Sequence, residues 1–293
     1  MILFIIKKID YFIKNQNLKE TFIGKCWCEE ASYLDFYDTK VREFWKKTII
    51  NNKSFFFDAK NIYIWNDMNE PSVFKQKDLT LPKITKFNYF NETYSHRDAH
   101  NLYGYFMHKT SWEGLKERYK KRPFVLTRSF YLGSHRFGAT WTGDMTTKWE
   151  DLEMSIPMIL SNAISGFSFI GADVGGFYKE GDQMLYRRWY QLGVFYPFFR
   201  AHSHRETYRR EPWLYDDETL FIVRDSIRMR YILLPYIYFT FFQYYQSGLP
   251  VVRPMFFKYS NHELNNYINK QFFFGDNLLI RPVLNELEND KEL

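Results

Sequence analysis

Ile62-Tyr63-Ile64-Trp65-Asn66-Asp67-Met68-Asn69-Glu70-Pro71-Ser72-Val73-Phe74 is the stretch on which the reading of the chain turns. Residues 62–65 are β-formers, and Pro71 has no N–H with which to extend a ladder, so a short strand is expected to end near position 67. At that end Asn66, Asp67, Asn69 and Glu70 place four polar side chains within five positions. Acids at the carboxyl end of a strand are how a (β/α)8 barrel presents catalytic groups. Period-2 alternation sets Trp65 and Asp67 on one face and leaves Glu70 on the other parity, which makes Asp67 the candidate site carboxylate. Taken alone, the stretch reads more simply as an acidic turn after a strand.

The same pattern recurs outward from this point. Strand-like runs are read at 123–129, 138–144, 165–173 and 194–202, with a further short one at 22–27. Helical spacing is read at 41–50, where Val41, Phe44, Trp45, Thr48 and Ile49 share a face, and at 96–119, 152–163, 184–192 and 216–245. Residues 75–94 read as a polar, proline-containing loop. Strands that alternate with helices predict βαβ units and a parallel sheet. Five successive strands end in Asp67, Arg128, Asp144, Asp173 and His202. A doubly wound sheet gathers ligand groups at one switch point, whereas a barrel takes them from many strand ends. The expected fold class is therefore α/β, a (β/α)8 TIM barrel. Beyond Gly248 short strand-like runs at 250–259 and 272–282 suggest the start of a C-terminal β-sandwich. The expected domains are a partial barrel over 1–248 and the start of a β-domain over 249–293.

Composition narrows the function. A chain of 293 residues can bury a barrel-sized core, and 21% aromatic content with 30 Phe and 23 Tyr marks a globular protein. The net charge of +6 is a small excess of 40 basic over 34 acidic residues, without the clustering that nucleic acid demands, so no nucleic-acid partner is expected. Cys26 and Cys28 are the two cysteines, too few for a zinc site or a disulfide framework, and read as free thiols. Apolar residues 1–6 are cut by Lys7, Lys8 and Asp10, so no convincing signal peptide is read. Residues 231–245 are too short for a membrane span and contain Pro235, Thr240 and Gln243. His202-Ser203-His204 lacks a third ligand at metal spacing, and no metal is expected. His96-Arg97-Asp98-Ala99-His100-Asn101 departs from a kinase catalytic loop because its Asn comes early and no Asp-Phe-Gly follows. Asn52-Lys53-Ser54 and Asn91-Glu92-Thr93 are glycosylation sequons of a kind that arises often by chance.

Two carboxylates around a common mouth, Asp67 and Asp144, suit cleavage of a glycosidic bond: one protonates the leaving oxygen while the other attacks or activates water. A nearby carboxylate also stabilises the oxocarbenium-like transition state. Trp65, Trp141 and Phe177 offer apolar platforms for a sugar face. Arg128 as donor, Asp173 as acceptor and His202 can hydrogen-bond hydroxyls. The plainer reading makes the tryptophans core residues, His202 a packed histidine and Arg128 an ion-pair partner of Asp67 or Asp144.

Trp65-Asn-Asp-Met-Asn-Glu-Pro-Ser-Val-Phe74, Trp141-Thr-Gly-Asp144 and Gly171-Ala-Asp-Val-Gly-Gly-Phe177 resemble family 31 of the glycoside hydrolases. Phe199-Arg-Ala-His-Ser-His204 and Arg209-Arg-Glu-Pro-Trp213 are most similar to the glucosidase II catalytic α-subunit branch. The resemblance runs from about Gly24 to Val283. It implies a retaining α-glucosidase in which Asp67 matches the nucleophile and Asp144 the acid/base, on the fourth and sixth barrel strands. It further implies that Arg128, Asp173 and His202 hold the non-reducing glucose, that Trp65, Met68, Trp141 and Phe177 wall it, and that neither metal nor organic cofactor is used. For the glucosidase II branch it implies an N-glycan oligosaccharide substrate, a β subunit as partner, and the endoplasmic reticulum lumen. Three positions depart from the family: Met145 replaces an Asn after the acid/base, Cys28-Glu29 replaces Pro-Gly, and His135 replaces Gln. The Met145 change is expected to remove a polar neighbour of Asp144. By strand count the chain is expected to hold about five of eight barrel strands, with the first three and an N-terminal β-sandwich lying before it. The alternative reading is a catalytically inactive, truncated glycan-binding or remnant chain.

Overall fold

Ile64–Asn66 is the strand on which the sequence reading turned, and it lies first in a series of βαβ units. The structure, a computed structural model, describes residues 11–51, 61–89 and 92–286. Residues 1–6, most of the 51–61 connection, the Asn52 sequon and Asn91 of the second sequon lie outside the described residues. The chain divides into two compact units, Met1–Gly138 and Ala139–Leu293.

The first unit opens with a hairpin of β1 (Ile23–Cys26) and β2 (Glu29–Ser32), antiparallel with Cys26 opposite Glu29. Helix α1 (Thr39–Asn51) follows; the Asp38 carboxylate accepts from the Lys40 N–H at its start, as an N-cap does. β3 (Ile64–Asn66) comes next. Residues 75–94, expected to be loop, contain an antiparallel hairpin of β4 (Lys86–Tyr89) and β5 (Glu92–Ser95). Its cause is aromatic pairing that a count of polar residues misses: Phe87 stacks on Tyr37 at 3.7 Å and faces Tyr94 across the strands. The expected helix over 96–119 divides into α2 (His96–Ala99) and α3 (Leu102–Tyr119), because the Tyr103 N–H reaches the His100 carbonyl three residues back and tightens the turn. α1 packs closely on α3: a Cβ at Gly114 would meet the Ile49 side chain at 2.9 Å, and the Trp45 indole donates to Ser111 Oγ. β6 (Val125–Thr127) then lies parallel to β3, with Trp65 opposite Leu126. A strand, a helix layer and a parallel strand make one βαβ unit.

The second unit repeats this arrangement. β7 (Ala139–Trp141) and β8 (Ile170–Gly171) are parallel and joined by α4 (Trp149–Ile164). β9 (Asp173–Val174) and β10 (Arg200–Ala201) are parallel and joined by α5 (Gln183–Gly193), whose first turn is capped by Asp182 onto the Leu185 N–H. The single strand expected at 165–173 is thus two short ladders separated by Ala172. The strand expected at 194–202 shrinks to its last residues. Phe195 and Tyr196 bond back to the Leu192 and Gly193 carbonyls, and Pro197 has no N–H to offer a ladder.

α6 (Asp217–Ser247) starts at an Asp216 cap and stops where Gly248 turns left-handed at φ 76°. Its Arg230 grips the preceding turn by donating to the Val194, Tyr196 and Pro197 carbonyls at 2.6–2.9 Å. Beyond it β11 (Val252–Arg253), β12 (Phe272–Phe274) and β13 (Leu278–Ile280) form an antiparallel sheet in chain order. Leu152, Ile156, Ile170, Val174, Trp189 and Tyr196 are buried at the centre of the unit's core, each fully buried aliphatic side chain contributing about 1.5–3 kcal/mol. No helix among the described residues is long and apolar enough to cross a membrane.

Candidate active site

In the first unit the candidate residues gather where β3 and β6 end. Alternation along β3 buries Asn66, whose Oδ1 accepts from Ser111 Oγ, and turns Trp65 outward at 43% exposure with Asp67 also exposed. The next residue, Met68, adopts a left-handed φ of 58° and donates its N–H to Asp67 Oδ1 at 2.9 Å. Asn69 is buried and joins the two strand ends: its Nδ2 donates to Thr127 Oγ1 and its Oδ1 accepts from the Ser129 N–H, each at 2.9 Å. Arg128, immediately after β6, donates through Nε and Nη2 to the two oxygens of Glu70 at 2.8 and 3.0 Å. The same Nε lies 3.5 Å from Asp67 Oδ1, and Nη2 lies 2.9 Å from the Met68 sulfur. One guanidinium thus serves two acids, and the nearer is Glu70.

In the second unit Asp144 follows β7 on a turn made by Gly143 at φ 81°. Met145, the departure expected to alter its surroundings, is 8% exposed and belongs to the apolar core. Its carbonyl accepts from the Phe177 and Tyr178 N–H groups at 2.7 and 3.1 Å. Asp173 is fully buried, and its Oδ1 accepts from Arg200 Nε and Nη2 at 3.1 and 2.6 Å. Its Oδ2 has no partner among the described residues. Burial pushes the Asp173 carboxyl up to about 6 against the pull of Arg200, and the charge of Asp144 pushes the same way. The Arg200 guanidinium also stands over the Trp141 ring at 5.2 Å, and Trp141 itself is buried. Phe177 and His202 face one another with ring centroids 5.2 Å apart, and His204 meets the Phe177 edge at 5.6 Å. Among the described residues no group of three or more His, Cys, Asp or Glu could hold a metal.

The structure therefore joins Asp67, Met68 and Arg128 in one unit, and joins Trp141 to Asp173 and Phe177 to His202 in the other. Cys26 and Cys28 are free. Sequence reasoning missed Glu70 and Arg200. A usable signal existed for Arg200, which shares strand parity with His202 and is a cation beside a buried acid.

The model of the family 31 glycosyl hydrolase TIM-barrel domain matches residues 4–240, and that of the family 31 C-terminal domain matches residues 248–293. Neutral alpha-glucosidase AB of Dictyostelium discoideum is 44% identical over 276 residues, covering 93% of this chain and 29% of that protein. The crystal structure of glucosidase II alpha subunit bound to alpha3-Glc2 superposes with a TM-score of 0.92 at 42% identity, covering 97% of this chain and 31% of that one. The same coverage, identity and score hold for an ER glucosidase II heterodimeric complex of the catalytic subunit with the binding domain of the regulatory subunit. The chain thus spans less than a third of the length of these relatives. With matches over the barrel and the region after it, and with parallel βαβ units carrying acids at their strand ends, this chain belongs to glycosyl hydrolase family 31.

Proposed function

We propose that this chain carries the catalytic residues of a retaining α-glucosidase that removes terminal α-linked glucose from oligosaccharides. The observation that carries the reading is that Asp67 and Asp144 each follow the carboxyl end of a parallel strand in a family 31 barrel domain. In this mechanism the Asp67 carboxylate attacks the anomeric carbon while Asp144 gives its proton to the departing oxygen. A glycosyl ester of Asp67 forms. Asp144, now a carboxylate, takes a proton from water as that water displaces Asp67, and two inversions return the starting anomer. Arg128, Asp173 and His202 bind the hydroxyls of the terminal glucose, and Trp65, Met68, Trp141 and Phe177 wall it.

The likeness to glucosidase II supports an N-glycan as substrate, a regulatory β subunit as partner and the endoplasmic reticulum lumen as the place of action. The proposed organisation is a partial barrel over 1–248, followed by the start of a β-domain.

Hydrolysis of a chromogenic α-glucoside by the purified chain, with the first-formed anomer followed by NMR, tests this. The expected result is α-glucose, and an Asp67→Asn variant without turnover. β-Glucose as first product, full activity in the variant, or no turnover by the folded chain overturns it.

A further inference from the structure

We infer that Arg210 is a positioning residue, a latch that holds the loop after β9, which carries Phe177, to the loop after β10, which begins with His202. It stands in Arg209-Arg-Glu-Pro-Trp213, a run that the proposed chemistry leaves without a role. Its neighbour Arg209 is exposed and paired with Glu211. Arg210 turns inward. Its Nη1 donates to the Gly175 carbonyl at 2.6 Å and to Thr147 Oγ1 at 3.2 Å; its Nη2 donates to the Gly176 carbonyl at 2.6 Å and the His202 carbonyl at 3.3 Å. The Tyr186 hydroxyl donates to the Arg210 carbonyl and fixes the residue from behind.

The backbone is shaped for this contact. Gly175 and Gly176 both have positive φ, 95° and 74°, and turn two successive carbonyls toward one guanidinium. A Cβ at Gly176 would lie 2.7 Å from the Thr146 carbonyl oxygen, so the loop has no room to relax. The loop after β9 carries Phe177, and the loop after β10 begins with His202; the latch spans both. A planar fork can serve two acceptors from each terminal nitrogen, here three carbonyls and a hydroxyl, which a single ammonium cannot match. Arg210 touches no reacting atom and acts through the residues it places.

This inference rests on the proposed glucosidase reading, and the test separates the two. In the full chain, Arg210→Lys and Arg210→Gln are compared with wild type by amide hydrogen exchange. The expected result is exchange about tenfold faster or more at Gly176, Phe177 and His204, with α5 and α6 unchanged. Unchanged exchange in those loops overturns the latch. So does a uniform rise through α5 and α6 in both variants, which would make Arg210 a general fold residue. In kinetics on an aryl α-glucoside, KM should rise about tenfold in Arg210→Gln with kcat within roughly threefold, and Arg210→Lys should recover part of the loss. A fall in kcat alone overturns the assignment. Failure of the glucosidase reading appears as an inactive wild type, in which hydrogen exchange still decides the latch.

Discussion

Arg128 and Glu70 form a two-pronged ion pair, with both carboxylate oxygens accepting from one guanidinium at 2.8 and 3.0 Å. Asp67, at 3.5 Å from the same Nε, is the second claimant. Glu70 therefore keeps Arg128 from closing fully on the candidate nucleophile. Glu70→Gln should release the guanidinium toward Asp67 and lower kcat/KM on an aryl α-glucoside by about tenfold to a hundredfold, the scale of one charged hydrogen bond. Steady-state kinetics of a variant that melts within a few degrees of wild type checks it. An unaltered kcat/KM would separate Glu70 from the chemistry.

Asp35 gives the first unit a pH-dependent stability. It is buried, accepts from the Tyr37 N–H at 3.1 Å, and burial pushes its carboxyl up to about 7 from 3.8. Its folded pKa is raised, so the folded state holds the proton more tightly. The cost of burying the charge is present in full above pH 7 and is relieved as pH falls from about 7 toward 4. Asp35→Asn, which keeps the acceptor oxygen, should stabilise the chain at pH 8 relative to wild type and lose that advantage near pH 4. Thermal melts across this range measure the gap.

Met145→Asn replaces a core thioether, whose sulfur accepts from Thr142 Oγ1 at 3.0 Å, with an amide among apolar side chains. The expected outcome is a loss of about 1–3 kcal/mol from burying an amide whose hydrogen bonds the Thr142 hydroxyl cannot all satisfy. Urea denaturation of the two chains is the measurement.

Gly171 and Gly143 should respond to alanine for different reasons. A Cβ at Gly171 would fall far inside contact with the Phe198 carbonyl oxygen, a backbone atom that cannot swing away. At Gly143 nothing lies within 4 Å, and the only obstacle is φ 81°. Gly171→Ala should cost about 1–3 kcal/mol or more through overpacking, against about 1 kcal/mol for the left-handed backbone at Gly143→Ala. Equal losses in denaturant titrations would contradict this account.

The rhythm of strand and helix was legible because apolar runs and helical periods are local signals. Asp67, Arg128 and His202 each follow directly on a strand, as the sequence suggested. What was hidden depends on partners far along the chain. The parity argument that set Glu70 aside holds only while a strand continues; β3 stops at Asn66, and the left-handed Met68 redirects the backbone before Glu70. The run at 194–199 is as apolar as a buried strand, yet its Val194, Phe195 and Tyr196 N–H groups return to the end of α5, and Phe198 is the residue that reaches the Ile170 carbonyl of β8. The hairpin of β4 and β5 is held by Tyr37, some fifty positions earlier.

Asp173 keeps one oxygen bonded to Arg200 and leaves the other buried with nothing among the described residues to accept from. On the sugar-binding reading, that oxygen acts as a filter. A hydroxyl aimed at it supplies a proton to share, whereas a fluorine or hydrogen in the same place leaves it as bare as before. Sites built to bond a hydroxyl reject analogues lacking one by factors on the order of ten thousand or more. Deoxy and deoxyfluoro sugars, altered at the hydroxyl that faces Asp173, are then the molecules this acid is set to turn away.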